Sequence, residues 1–254
     1  MPKHAVLFDL GSTLWHIPER PPTDKIRKET VRRIFGLLHT WGVEPEGELR
    51  FLGRDIRLTV GAADSKAYES DQVSPHYPTV VREVVASKGL EISDEQAAEL
   101  WKAWNLPGAF FGRRLFEGTA EMLETLRERG YRLGMVTNRP FAGAAFHDEV
   151  KELGLDEYFD VMSISCDVGY MKPHPEIFHH ALKALDVAPE NAIMVGDSLI
   201  ADVQAAQWLG MTAVWRRYRD LDEQADGIKP DFEVSELSEL PGLPCFPPQA
   251  PDGA

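Results

Sequence analysis

Four short segments of the sequence carry side chains suited to chemistry, and each lies after an apolar run. They are residues 9–14 (DLGSTL), 137–140 (TNRP), 169–173 (GYMKP) and 196–198 (GDS), with Asp202 a little further on. If the apolar runs are strands of one parallel sheet, their carboxyl ends lie along a single edge. The groups that would then meet there are the carboxylates of Asp9, Asp197 and Asp202, the Thr137 hydroxyl and the Lys172 ammonium.

Such a cluster of carboxylates needs a cation, because like charges repel and an unpaired buried charge is costly. Mg²⁺ prefers oxygen ligands and binds through one or two carboxylates, waters and the phosphate oxygens of a substrate. The lysine and the threonine would face the remaining phosphate oxygens and donate hydrogen bonds to them. The residues therefore predict Mg²⁺ as the cofactor of a phosphoryl-transfer site in which a carboxylate is the nucleophile.

Five apolar runs predict the strands of this sheet: residues 5–8, 133–136, 161–164, 192–195 and 212–215. Each run is continuously apolar rather than alternating, which is typical of strands covered on both faces. Segments with helical periodicity lie between the later runs, at residues 118–129, 141–153, 175–185 and 199–208. The alternation predicts an α/β fold with a doubly wound, Rossmann-like parallel sheet and right-handed crossovers.

The stretch between the first two runs has no strand-like run and is predicted to be a helical insertion. Its amphipathic segments are residues 24–41, 46–62, 77–88 and 93–105. We therefore expect an α/β catalytic core at residues 1–16 and 117–240, an all-α cap domain at 17–116, and a proline-rich tail at 241–254. The cap is expected to act as a lid, because open α/β sheets bind ligands where the strands end.

The composition limits the classes of partner. Asp and Glu number 41 against 27 Lys and Arg, and the formal net charge of −14 disfavours nucleic acid and anionic membrane surfaces as partners. No apolar run approaches the roughly 18 residues of a membrane span, and Asp9 interrupts the first run too early for a secretory signal. Cys166 and Cys245 give no disulfide framework and no metal-binding pair. We predict a cytoplasmic monomer or homodimer whose partner is a small phosphate ester.

Taken in order, FDLGSTL, MVTN, GYMKPHPEIF and VGDSLIAD resemble the four motifs of the haloacid dehalogenase (HAD) superfamily, in its phosphatase branch with a helical cap after the first motif. The resemblance implies Mg²⁺-dependent hydrolysis of a small phosphomonoester through an aspartyl-phosphate. The resemblance implies that Asp9 is the nucleophile and a metal ligand and that the Gly11 carbonyl is a second metal ligand. It further implies that Thr137 and Lys172 orient the phosphate, that Asp197 binds the metal, and that Asp202 binds the metal or contacts its waters. Independently of these roles, Asn138 is predicted to contact the substrate, with contact to the cap as the alternative.

Gly11 departs from the family's pattern, since most phosphatases of the superfamily have a second aspartate there, which protonates the leaving alcohol and then activates water. General acid–base catalysis typically raises a reaction rate by about 10²–10⁴-fold. The absence of an aspartate at position 11 therefore has three alternative explanations. The leaving group is good enough to depart unprotonated; or a water, His16 or a cap carboxylate supplies the proton; or the protein is a non-catalytic phosphate-binding or regulatory module.

Two other branches of the superfamily also lack this aspartate. Dehalogenases need no metal, whereas Asp197 keeps the acidic metal site here. Phosphonate-cleaving enzymes use a cap lysine as a Schiff base, for which Lys25 and Lys28 are the candidates. At the return from the cap, Arg113 and Arg114 are predicted to form a solvated hinge, with contact to an anionic substrate as the alternative.

Overall fold

The computed structural model describes residues 5–218 and 227–247, and the chain divides into two compact units. One unit is Ile17–Gly112, and the other consists of the flanking segments that end at His16 and begin at Arg113. The return therefore lies four residues before the predicted boundary at 116. The reason is a short antiparallel pairing in which Trp15 lies opposite Leu115 and His16 opposite Arg114.

Eight strands are present in the described residues, numbered in chain order: β1 (Ala5–Phe8), β2 (Trp15–His16), β3 (Arg114–Leu115), β4 (Arg132–Thr137), β5 (Val161–Ile164), β6 (Ala192–Gly196), β7 (Thr212–Arg216) and β8 (Phe232–Val234). Six of them form one parallel sheet in the order β5-β4-β1-β6-β7-β8, and β2 pairs with β3. The prediction of a doubly wound parallel α/β sheet is confirmed, with β1 and β6 at its centre.

The sheet is longer by one strand than the five apolar runs predict. The missed strand, β8, has only three residues and pairs with β7 at the edge of the sheet. Its central residue Glu233 is exposed, so the segment lacks the continuous apolar run that marks the interior strands.

The helices are α1 (Thr23–Thr40), α2 (Leu52–Glu69), α3 (Tyr77–Ala86), α4 (Asp94–Trp104) and α5 (Gly108–Phe111) in the first unit, and α6 (Thr119–Glu128), α7 (Ala144–Glu152), α8 (Ser165–Val168), α9 (Pro175–Ala184) and α10 (Ala205–Trp208) in the second. Short 3₁₀ segments are Gly47–Phe51, Pro189–Asn191 and Leu237–Gly242. A π-helical segment, Leu199–Gln204, leads directly into α10.

Strand β1 shows why the sheet must be covered on both faces. All four of its residues have no exposed surface. Val6 and Phe8 belong to the apolar cluster that includes side chains of α6 and α7, whereas Ala5 and Leu7 belong to the cluster that includes those of α9. Because successive side chains of a strand point to opposite faces, a strand buried on both sides must be apolar throughout.

The Ile17–Gly112 unit is helical and has its own packed interior. Helix α4 begins at a capping box in which Ser93 and Gln96 satisfy each other's backbone N–H groups. The rings of Tyr77 and Trp104 both stack on Trp101, with centroids 5.1 Å away in each case. Sequence periodicity predicts the second helix of this unit at residues 46–62. In the structure a 3₁₀ segment takes up the start of that range, and the helix runs from Leu52 to Glu69.

Part of the predicted proline-rich tail is packed against the sheet unit. Phe246 is 1% exposed and makes an edge contact with Tyr131, whose hydroxyl donates a hydrogen bond to the carbonyl of Pro247 at 2.9 Å. Arg129 donates to the carbonyl of Phe246 at 2.9 Å. Residues 248–254 of the tail lie outside the described residues. Among the described helices, none is long and apolar enough to cross a bilayer.

Candidate active site

Asp9 stands at the end of the central strand β1. Its backbone N–H donates to the carbonyl of Val195 at 3.0 Å, which extends the pairing of β1 with β6 by one residue. The chain then turns tightly, and the hydroxyl of Thr13 returns to donate to Asp9 Oδ2 at 3.1 Å. The Asp9 backbone is therefore held by the sheet and its side chain by the turn that follows, with 8% of the residue exposed.

Lys172 brings two carboxylates together. Its Nζ donates to Asp9 Oδ1 at 2.7 Å and to Asp202 Oδ1 at 2.6 Å, and the residue is 3% exposed. Burial by itself would lower the pKa of this ammonium, but the charges of Asp202 and Asp9 raise it above the ordinary value. Lys172 is therefore a fixed cation at the edge of the sheet.

Asp202 occupies a space that only a glycine on β6 leaves open. A Cβ atom at Gly196 would lie 2.3 Å from the carboxyl carbon of Asp202, which is closer than any real contact. Asp202 Oδ2 accepts a hydrogen bond from the backbone N–H of Ser198 at 3.0 Å, and the Ser198 hydroxyl accepts one from Ala201 N at 3.0 Å. The π-helical segment after β6 thus begins with a cap that aims Asp202 back at the strand end.

Asp9, Asp197 and Asp202 form a group of carboxylates suited to a metal ion. One oxygen atom from each lies within 4.8 Å of the others. Burial raises the pKa of Asp197 to about 7, and the charges of Asp9 and Asp202 add to this shift. Burial likewise raises the pKa of Asp202 to about 6, against the opposing charge of Lys172. The single ammonium of Lys172 does not balance the charges of three carboxylates. Carboxylate oxygens are the kind of ligand that a divalent cation such as Mg²⁺ prefers, so the cluster fits such an ion.

Thr137 and Asn138 follow at the end of β4. Thr137 is the last residue of the strand and is 4% exposed. The Asn138 side chain bonds at both ends to the main chain of Lys172: its Oδ1 accepts from Lys172 N at 2.7 Å, and its Nδ2 donates to Lys172 O at 2.9 Å. The amide is thus engaged by the chain that carries the lysine, and the predicted contact of Asn138 with substrate stays a prediction.

Gly11 is exposed, and its surroundings are open. A Cβ atom built there would meet nothing within 4 Å, and its φ lies outside the left-handed region. The backbone therefore does not require glycine at this position. His16, the residue considered as a substitute acid, lies on β2 with its ring stacked on Phe116, the centroids 4.3 Å apart.

A buried ion network beside the site was not found from the sequence. Glu149 on α7 pairs with Arg113 through Oε1 and with Arg139 through Oε2, the latter at 3.3 Å. The predicted solvated hinge at Arg113 is wrong, because its side chain is only 14% exposed and its guanidinium lies over the Trp15 ring, 4.6 Å from the centroid. Burial lowers the pKa of Arg139 to about 9, and the charge of Arg113 adds to this.

Replacing Glu149 by alanine is expected to lower the free energy of unfolding by about 3–5 kcal/mol, because two buried guanidinium groups would lose their shared counter-charge. Urea unfolding of the variant measures this. The control is Glu152→Ala on the same helix, where the side chain is exposed and the change should stay within about 0.5 kcal/mol. A Glu149→Ala variant as stable as the parent would contradict the electrostatic account of the network.

The sequence and the fold match proteins of known class. A model of the haloacid dehalogenase-like hydrolase family matches residues 3–210. The glyceraldehyde 3-phosphate phosphatase of Methanopyrus kandleri is 30% identical over 241 residues, which cover 93% of this chain and 94% of that protein. The phosphoserine phosphatase of Thermus thermophilus is 36% identical over 156 residues, covering 59% of this chain and 61% of that protein.

Among solved structures, a HAD phosphatase from Thermococcus onnurineus superposes with a TM-score of 0.56 at 28% identity, over 94% of this chain and 96% of that one. The match extends through both compact units as well as through the strand ends that carry the clustered carboxylates. The chain therefore belongs to the haloacid dehalogenase-like hydrolase family, on the branch whose members named above are phosphatases.

Proposed function

We propose that the protein is a Mg²⁺-dependent phosphatase that hydrolyses a small phosphomonoester, with Asp9 as the nucleophile. The observation that carries this proposal is the double contact of Lys172 with Asp9 and Asp202 at the end of the central strands. It joins a carboxylate nucleophile, a fixed cation and a candidate metal site within hydrogen-bond distances. The two relatives reported above are named for phosphomonoester substrates, which supports the same class of ester here.

The proposed reaction has two displacement steps at phosphorus. A carboxylate oxygen of Asp9 attacks the phosphoryl group, the bond to the ester oxygen breaks, and an aspartyl-phosphate forms. Water then attacks this intermediate, which releases inorganic phosphate and restores the carboxylate. The hydrogen bonds from Thr13 and Lys172 to the two oxygens of Asp9 support its role, because they restrict the rotation of the carboxylate before the attack.

The phosphoryl oxygens are proposed to lie against Thr137 and Lys172. Both residues are buried, so their hydrogen bonds to the phosphate act where water screens them little. Mg²⁺ would be held by Asp9, Asp197, Asp202 and the carbonyl of Gly11, and when bound it supplies positive charge to the carboxylates and to the phosphate. The raised pKa values of Asp197 and Asp202 support this assignment, since they reflect first the burial of these carboxylates and then their repulsion by neighbouring carboxylates, both of which a bound divalent cation would offset.

Phosphonate cleavage finds no support in the helical unit. Lys25 and Lys28 are both exposed on α1. Lys28 forms a surface ion pair with Asp24 at 3.5 Å, and the Lys25 ammonium lies 5.8 Å from the ring centroid of Phe110. A lysine that forms a Schiff base is often activated by desolvation in an apolar pocket, whereas both of these lysines are exposed.

The proposal is tested with a panel of phosphorylated metabolites and aryl phosphates, assayed for release of inorganic phosphate. We expect turnover with Mg²⁺, its loss in EDTA, and its recovery when Mg²⁺ is restored. Mg²⁺ should also raise the melting temperature, because it binds the folded state through carboxylates brought together only by folding.

Two results would overturn the proposal. Hydrolysis of 2-haloacids that is indifferent to EDTA would identify a dehalogenase. Mg²⁺-dependent binding of phosphate esters without release from any of them would identify the non-catalytic module that Gly11 leaves open.

A further inference from the structure

Asn138 and Lys172 form a reciprocal pair of hydrogen bonds across 34 positions of sequence. The amide oxygen of Asn138 accepts from the backbone N–H of Lys172 at 2.7 Å, and its NH₂ group donates to the carbonyl of the same residue at 2.9 Å. Two bonds from one planar amide to one residue fix both the position and the orientation of that residue. The Asn138 side chain thus satisfies the backbone N–H and C=O of Lys172, as a neighbouring strand does for a residue in a sheet.

Lys172 needs such support because it lies outside the regular elements. It lies in the segment between α8 and α9, which contains none of the named strands. Its side chain must span from there to two carboxylates on different elements, Asp9 after β1 and Asp202 in the segment after β6. Holding a long lysine side chain in one geometry costs about 2 kcal/mol of rotamer entropy, and a loose backbone would add to this cost.

Asn138 itself is attached to an ordered part of the sheet. Thr137 directly precedes Asn138 and is the last residue of β4, where it lies opposite Ile164 of β5. Asn138 therefore connects an ordered strand of the sheet to the loop that carries the lysine. The two groups that our proposed function assigns to phosphate orientation, the Thr137 hydroxyl and the Lys172 ammonium, are joined through a single side chain.

We propose that Asn138 is a positioning residue, which acts through the main chain of Lys172 to hold that ammonium at a fixed separation from Thr137. The inference rests on the proposed phosphatase function and goes beyond it, because it assigns the Asn138 side chain to the lysine rather than to the substrate. Misplacing a reacting group by about 1 Å can lower a rate by about 10²-fold. Loss of the pair should therefore lower kcat without weakening contact with the substrate's organic part.

A double-mutant cycle distinguishes positioning from direct contact with substrate. Asn138→Ala, Lys172→Ala and the double variant are assayed with an aryl phosphate in excess Mg²⁺. We expect Asn138→Ala to lower kcat between about 10-fold and 10²-fold with KM within about 2-fold of the parent. In the Lys172→Ala background the same substitution should change kcat by less than about 2-fold, because the group that it positions is gone.

Further variants control for folding and for general damage. Asn138→Asp keeps the acceptor for Lys172 N–H but loses the donor to Lys172 O, so it should also lower kcat while remaining folded. Asn191→Ala, in the 3₁₀ segment before β6, should leave kcat unchanged. The rise in melting temperature with Mg²⁺ should persist in Asn138→Ala, because all three carboxylates of the candidate metal site remain.

Additive losses in the two backgrounds, or a raised KM with kcat unchanged, would overturn the positioning role and assign Asn138 to the substrate. If the parent protein hydrolyses no phosphomonoester, the proposed function fails first. The cycle is then run on the calorimetric affinity for inorganic phosphate in Mg²⁺. Non-additive losses of affinity would still support the positioning role, and additive losses would overturn it.

Discussion

Replacing Asp9 by asparagine is expected to abolish turnover while leaving the fold intact. The amide has the volume of the carboxylate but no nucleophilic oxygen, so the aspartyl-phosphate cannot form. Removing a catalytic nucleophile typically costs on the order of 10⁴–10⁶-fold in kcat. Release of inorganic phosphate from the best substrate of the panel, measured in excess Mg²⁺, provides the comparison.

The contacts of Asp9 explain why stability should survive this change. The amide oxygen can still accept from Lys172, and the NH₂ group can donate to the hydroxyl of Thr13, which at present donates to Asp9. Lys172 also keeps its bond to Asp202. The variant removes one of three mutually repelling carboxylates, so its melting temperature without Mg²⁺ should equal or exceed that of the parent.

A matched substitution distinguishes the loss of the nucleophile from the loss of one acidic charge elsewhere on the protein. Asp148 is exposed on α7, and Asp148→Asn should retain full turnover. Mass spectrometry of the Asp9→Asn protein excludes deamidation back to aspartate as a source of residual rate. Turnover that persists in an intact Asp9→Asn variant would remove Asp9 from the nucleophile's role and the phosphatase proposal with it.

The strands that support the site were predictable because each appears in the sequence as a short, continuous apolar run. A strand covered on both faces must be apolar along its buried length. Strands β1 and β6 meet that condition throughout, and β4 meets it over residues 133–136, between Arg132 and Thr137 at its ends. The edge strand β8 has no such requirement, and β2 and β3 have only two residues each. Their existence depends on pairing partners far along the chain, which periodicity does not reveal.

The candidate site, like the sheet, could be predicted only in part. The motifs predicted that Asp9, Lys172 and Asp202 stand near one edge of the sheet, since each follows a strand in the chain. They did not predict that Asn138 would bond to the Lys172 main chain, or that Glu149 would pair with Arg139, because such contacts depend on side-chain directions.

Introducing aspartate at Gly11 is expected to speed the hydrolysis of esters with poor leaving groups. The position is where the superfamily's phosphatases usually have the acid, and the structure sets no steric obstacle to it. A Cβ atom would meet nothing within 4 Å, and the φ of Gly11 is one that aspartate adopts. The gain should fall within the roughly 10²–10⁴-fold range of general acid–base catalysis.

The expected selectivity follows from the charge on the leaving oxygen. An alkoxide leaves with more negative charge than a phenolate and therefore depends more on a proton. The parent protein should show a steep fall of kcat/KM as the pKa of the leaving group rises from aryl to alkyl phosphates. Gly11→Asp should flatten this dependence by accelerating the alkyl esters most, and a series of phosphates spanning that pKa range measures both slopes.

Gly11→Asn is the matched control, because its side chain has nearly the same size and no carboxyl proton to donate. If it flattens the slope as much as Gly11→Asp, the effect is one of packing or metal binding rather than acid catalysis. Mg²⁺-dependent melting temperatures of both variants test whether the added side chain disturbs the cation, since the Gly11 carbonyl is itself a proposed ligand. A folded, Mg²⁺-binding Gly11→Asp variant with the parent's slope would mean that another group already protonates the leaving oxygen. His16 would then be the first candidate in the sheet unit, because the turn closed by the bond from Ser12 N to Trp15 O, at 2.8 Å, places it directly after the Gly11 loop.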